Sequence, residues 1–132
     1  TDAGLLDPQL IVTTAIPTSV TLGGTLFADL LAKAPDIDAV FCVNDDLALG
    51  ALFECKRRHV AVPEQMAIVG FNDLEFMASS EPTLSSVRTN RYEMGRNAAT
   101  MVIETLEGRR PADPVVDLGF SVMERQSSTR RN

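Results

Sequence analysis

The sequence has no apolar run near the roughly 20 residues that a membrane-crossing helix requires, so a bilayer-spanning α-helix is not expected. It has no basic cluster either. Lys56, Arg57 and Arg58 have acids close by, the tail ends in Arg130 and Arg131, and the net charge is −6. Gripping nucleic acid takes Lys and Arg clustered against phosphates, so this segment is not expected to hold DNA by itself. Histidine occurs once and cysteine twice, without the paired-Cys spacing of a zinc site, and no metal is expected. Cys42 and Cys55 lie inside apolar segments and read as buried free thiols suited to a reducing cytoplasm. The opening residues lack a basic stretch followed by an apolar block, so no signal peptide is visible in them. Also missing are a phosphate loop, a nucleophile paired with a base, and a metal triad. Asp45 and Asp46 could bind Mg²⁺, but without such company an enzyme is not expected and no cofactor is implied.

What remains is 132 residues, about one ordinary domain, with 45% hydrophobic and 23% charged residues, the balance of a folded, soluble protein. Short apolar runs alternate with helical patterns. Leu10-Ile-Val-Thr-Thr-Ala15 is β-branched and predicts a strand. Val20, Phe27, Leu30, Leu31 and Ala34 mark one face of a helix over 20–34. Gly23 and Gly24 weaken that helix by about 1 kcal/mol each, which suggests close approach by a backbone or a ligand. Ala39-Val-Phe-Cys-Val43 reads as a strand buried on both faces, and Asn44 or Asp45 caps a helix running to about Arg58.

Val62 and Pro63 end that unit. Met66–Val69 predicts a buried strand ending at Gly70, Glu75–Ala78 a short helix, and Leu84–Val87 another strand. Asn90 with Glu93 resembles a capping box before a helix whose Met94, Ala98, Met101, Val102 and Leu106 share a face. Gly108 is placed to end it, and extended pieces follow at Pro114–Leu118 and Phe120–Met123. Strands alternating with helices imply βαβ units and a largely parallel sheet. Ligands of such sheets bind beyond the carboxyl ends of the strands, which singles out Asn44-Asp45-Asp46 and Asn72-Asp73 on one edge. A small polar ligand is the expectation.

Four blocks carry a resemblance. Ala39-Val-Phe-Cys-Val-Asn-Asp-Asp-Leu-Ala-Leu-Gly-Ala-Leu52, Val62-Pro-Glu-Gln-Met-Ala-Ile-Val-Gly-Phe-Asn-Asp73 and Glu81-Pro-Thr-Leu-Ser-Ser-Val87 are similar to the LacI/GalR pattern of transcription regulators. Met123-Glu-Arg-Gln-Ser-Ser-Thr129 resembles that family's closing Arg-x-Ser-Thr signature with one residue inserted. Phe41-Cys42, Ala51–Arg58 and Pro17-Thr-Ser19 look most like its gluconate-operon repressor group. The resemblance implies an α/β, parallel-sheet, periplasmic-binding-protein-like subdomain. It places 1–85 in the C-terminal sensor subdomain, with Thr1–Leu6 reading as the tail of a helix. Residues 86–118 become a crossover that packs on an N-terminal sensor subdomain, and 119–132 a final strand and polar tail. The DNA-binding helix-turn-helix and the first sensor subdomain are absent from this sequence.

Asn44 and Asp45 match family positions lining the effector cleft, while plain N-capping explains the same residues. Asn72 stands where many members have an aspartate for sugar hydroxyls. A carboxamide there tolerates an anionic ligand such as a sugar acid, although a turn-forming Asn is the plainer alternative. Asp73 shares that strand end. Thr18 and Ser19 sit at a helix head where relatives carry a stacking aromatic; hydroxyls there suit a carboxylate, and a helix N-terminus favours anions.

Leu49 and Phe53 lie off the stripe of Ala48, Ala51, Leu52 and Cys55 and ask for a second buried surface. With Ser79 and Ser80, they match the family's dimer interface. His59 occupies the place of a helix-ending glycine and reads as a C-terminal cap. The expectation is therefore the effector-binding and dimerisation part of a cytoplasmic regulator. It would sense a sugar or sugar acid and act on DNA only through the missing domain, without touching a membrane. The alternative is a periplasmic sugar-binding protein of the same fold.

Overall fold

The computed structural model describes residues 7–109 and 113–129. The anticipated helix tail at Thr1–Leu6 and the terminal Arg130 and Arg131 lie outside them. After a short 3-10 turn at Pro8–Leu10 come α1 (Val20–Lys33), β1 (Ala39–Phe41), α2 (Asp45–Arg57), β2 (Ala67–Phe71), α3 (Glu75–Ser79), β3 (Ser85–Thr89), α4 (Arg91–Leu106) and β4 (Phe120–Met123). The sheet runs in the order β1-β2-β3-β4, with β1, β2 and β3 parallel and β4 antiparallel to β3. Helices α1 and α2 begin where a side chain can take an orphan amide. Ser19 Oγ accepts from Leu22 N at 3.1 Å, and Asn44 Oδ1 from Leu47 N at 3.0 Å.

The core joins Phe27 of α1, Leu47, Ala48, Leu52 and Cys55 of α2, Ile68 of β2, and Met77 and Leu84 beyond it. Both cysteines are buried free thiols, as their apolar surroundings suggest. The α1 glycines serve a backbone approach. A side-chain carbon on Gly23 would lie 2.5 Å from Leu47 O, and one on Gly50 would lie 2.1 Å from Val20 O. The two helices cross at a distance that only hydrogen side chains allow.

Four local expectations fail, each for an identifiable reason. Leu10–Ala15 forms no strand: after the turn it runs without a ladder partner among the described residues, with Leu10 and Ile11 about half exposed. The burial of Ala39–Val43 on both faces is not found, because only one face is covered: Cys42 is buried, whereas Phe41 is 58% and Val43 68% exposed on the other. Pro114–Leu118 stays irregular because Asp113 Oδ1 and Asp117 Oδ1 take the Val115 and Gly119 amides at 3.0 and 2.8 Å. The capping box does not close. Asn90 makes no side-chain cap bond, and Glu93 pairs with Arg96 at 2.6 Å instead.

Candidate functional site

The parallel register brings the two singled-out strand ends to one level. Phe41 pairs with Val69, so Asn44 and Asn72, each three residues further on, leave the same edge of neighbouring strands. The Asn44 carboxamide is used twice, accepting from Leu47 N and donating from Nδ2 to Thr18 Oγ1 at 2.7 Å. That bond joins the residue before the α1 cap to the α2 cap, so Thr18 and Asn44 form one polar pair. Thr18 lies at the rim of a largely apolar cavity of 580 Å³ whose walls include Phe27, Val40 and Leu47. Ser19 is exposed and its hydroxyl caps α1.

Asn72 follows β2 with φ 108°, and Asp73 follows with φ 54°, both in the left-handed half of the map. Their backbone is tied at each step. Asn72 N donates to Val87 O at 2.9 Å, Asp73 N to Ser86 Oγ at 3.0 Å, and Leu74 N to Asp45 Oδ2 at 2.6 Å. Strained turns of this kind persist only where the surroundings over-determine them. Among the described residues the Asn72 side chain has no hydrogen-bond partner. It lines a separate open cavity of 390 Å³ with Arg88, Arg91 and Tyr92.

The two aspartates of the candidate set face inward. Asp45 is fully buried, and its Oδ1 accepts from Ser86 Oγ at 2.7 Å while Oδ2 holds Leu74 N. The Asp73 carboxylate is 3% exposed and lies between Arg88 Nη2 at 2.6 Å and Arg125 Nη1 at 2.7 Å. Burial alone would raise its pKa, but the Arg125 and Arg88 guanidiniums win and hold it below the ordinary carboxylate value. Asp45 thus spends both oxygens in hydrogen bonds, while Asp73 Oδ1 has the Arg125 ion pair but no hydrogen bond among the described residues. Asp46 stays partly exposed, and no group of three or more potential metal ligands occurs among the described residues.

Residues 3–128 match the model of a periplasmic binding protein-like domain. The chain belongs to that family. Among curated relatives of this periplasmic binding protein-like chain, the HTH-type transcriptional regulator GntR of Pseudomonas aeruginosa is 49% identical over 96% of it. The HTH-type transcriptional regulator IdnR of Escherichia coli is 44% identical over 79% of it. A crystal structure of the transcription regulator GntR from Chromobacterium violaceum superposes with a TM-score of 0.87 at 42% identity, over 96% of this chain. The chain spans only 37% and 31% of those two curated relatives, and 47% of the solved one. The resemblance to LacI-type regulators and the α/β class with a largely parallel sheet expected from the sequence both hold, β4 alone running antiparallel among the described strands.

Elsewhere on the periplasmic binding protein-like fold, the residues expected at a dimer surface divide. Phe53 is 42% exposed and Ser79 is exposed, whereas Leu49 packs partly against the core. Ser80 Oγ donates to Pro82 O at 2.9 Å and so secures the end of α3. Sequence reasoning missed Ser86, Arg88 and Arg125 as site residues. Ser86 had one available signal: a polar residue at a strand position, on the same face as the apolar Leu84 two residues before it, needs an internal partner. Nothing local marks Arg125, which reaches Asp73 from 52 positions away along the chain, with its guanidinium also donating to Leu84 O at 2.7 Å. Among the described residues, no helix is long and apolar enough to cross a membrane.

Proposed function

We propose that this chain is the effector-binding and dimerisation part of a LacI-type transcription regulator, and that its effector is a sugar acid such as gluconate. The observation that carries the reading is Asn72: a carboxamide without a hydrogen-bond partner among the described residues, held on a fully tied turn at the carboxyl edge of the sheet. A neutral group there accepts and donates hydrogen bonds without repelling a carboxylate. The ligand-facing set is Thr18, Ser19, Asn44 and Asn72, with Asp45 and Asp73 supporting it from behind. The relatives named above are transcriptional regulators, which favours this reading over a transport protein of the same fold and over an enzyme.

In this reading, the protein works in the cytoplasm as a homodimer, and DNA is read by a helix-turn-helix outside these residues. Residues 1–85 form the C-terminal sensor subdomain, 86–118 cross to the N-terminal one, and 119–132 return as the last strand and tail. Two features support that division. No residue of α4 is buried, and its Met94, Val102 and Leu106 stand exposed, as a helix awaiting a neighbour would. A ligand closing the cleft shifts the regulator only through different affinity for its two arrangements.

The test is calorimetric titration of the full-length protein with gluconate, related sugar acids and neutral hexoses. Binding of the acids alone is expected. Asn72→Ala should weaken it about tenfold, the cost of roughly one polar contact, without loss of folding. Binding of a neutral hexose alone overturns the effector class, and unchanged affinity in Asn72→Ala removes that residue from the site.

A further inference from the structure

We propose that Asp45 is a buried positioning residue that ties the ligand-facing start of α2 to the ligand-facing turn after β2 and, through the Ser86 hydroxyl, to β3. The inference rests on the ligand site proposed above and adds the means by which its two halves are coupled. Asp45 follows Asn44 directly, so any movement of the Asn44–Thr18 pair is carried into the same first turn of α2. Its two oxygens then reach two different segments, Leu74 N in the turn and Ser86 Oγ in β3. Ser86 Oγ in turn accepts from Asp73 N, which closes a ring of contacts through Asp73 and Leu74, directly after Asn72.

Packing alone does not call for an acid here. A fully buried carboxylate is costly to desolvate, and a well-packed apolar side chain of similar size is often as stable. What an apolar side chain cannot do is accept from two segments at once. The neighbouring strand makes room for this arrangement. A side-chain carbon on Gly70 would lie 2.5 Å from Asp45 Oδ1 and 2.8 Å from Met77 Cε. The positive φ values at Asn72 and Asp73 are kept by the same contacts, since two of the three amides of the turn end on Asp45 or Ser86. Asp45 thereby sets the direction of the Asn72 carboxamide without touching a ligand. β3 leads through Asn90 straight into α4, so a displacement at the site reaches that helix along one strand.

The experiment uses the full-length protein, read by titration with gluconate and by hydrogen exchange at individual amides. Ser86→Ala should expose the Asp73 and Leu74 amides to faster exchange and weaken gluconate binding about tenfold. Because Ser86 acts through Asn72, Asn72→Ala/Ser86→Ala should bind no more weakly than Asn72→Ala alone. A merely structural role would multiply the two losses. Asp45→Asn can still accept from Leu74 N and can donate to Ser86 Oγ, so it should bind within about threefold of the natural protein, whereas Asp45→Ala should lose about tenfold or more. Multiplying losses in the double variant, or unchanged exchange at Asp73 and Leu74 in Ser86→Ala, overturns the proposal. If the natural protein binds none of the acids, the effector class fails, while the coupling is still decided by the exchange of those two amides.

Discussion

At His59 the backbone turns to φ 58°, and the helix before it ends in two linked bonds, Val60 N to Cys55 O at 2.9 Å and His59 N to Lys56 O at 3.2 Å. That is the Schellman arrangement, and its left-handed position usually belongs to glycine. His59→Gly removes the Cβ strain and should stabilise the protein by about 1 kcal/mol, part of the gain being lost to the freer unfolded chain. Chemical denaturation checks this, and a loss of stability would show that the imidazole itself holds the helix end. The thiols make a second residue-scale case. Burial, then Cys55 and Asp45 nearby, push Cys42 up to about 12, and burial with Glu54 pushes Cys55 to about 11, from an ordinary value of 9.0. Above that ordinary value the unfolded chain releases protons that the native state keeps. The stability contributed by the two protonated thiols is therefore fully present below pH 9.0 and declines as pH rises towards 11–12, a slope visible in denaturation midpoints. Replacing both cysteines by alanine should flatten that slope.

Among the elements, helices were the most legible in sequence, because their ends carry local chemistry. Ser19 and Asn44 cap as their types suggest, and α1 and α2 fall within one residue of the spans that periodicity predicts. What periodicity cannot show is the partner. Gly23 and Gly50 come from different helices, and only their meeting explains either of them. Gly50→Ala would drive a methyl into Val20 O and Gly24 N, so a loss of about 3 kcal/mol is expected in thermal or urea unfolding. A neutral outcome would mean the helices can separate freely. Strands were less legible. Leu10–Ala15 has strand composition without a ladder, since β-propensity reports fit to a half-buried pleated surface rather than a backbone preference. The Asn90–Glu93 cap lost to a competing local partner, Arg96, that lies three residues beyond Glu93.

At the scale of the whole molecule, the proposed dimer is tested at Phe53. Phe53 stands 42% exposed beside a groove of 690 Å³ between α1 and α2, whose rim includes Thr21, Glu54 and Arg57. If this surface is the dimer contact, Phe53→Glu should yield monomers in sedimentation at the same protein concentration, and an unaltered dimer refutes it. The sequence by itself determined the alternation of strand and helix, the caps of α1 and α2, the buried thiols and the edge of the sheet at which Asn44 and Asn72 emerge. These follow from side-chain type and spacing over a few residues. Only the tertiary structure decided that β4 runs antiparallel and that Asp45 and Asp73 turn inward while the Asn72 side chain finds no hydrogen-bond partner among the described residues. The inward turn of the two aspartates depends on Ser86, Arg88 and Arg125, which lie 13 to 52 positions from the aspartates they meet. A buried carboxylate takes whichever donors the fold brings within hydrogen-bond distance, and no local pattern records where they come from.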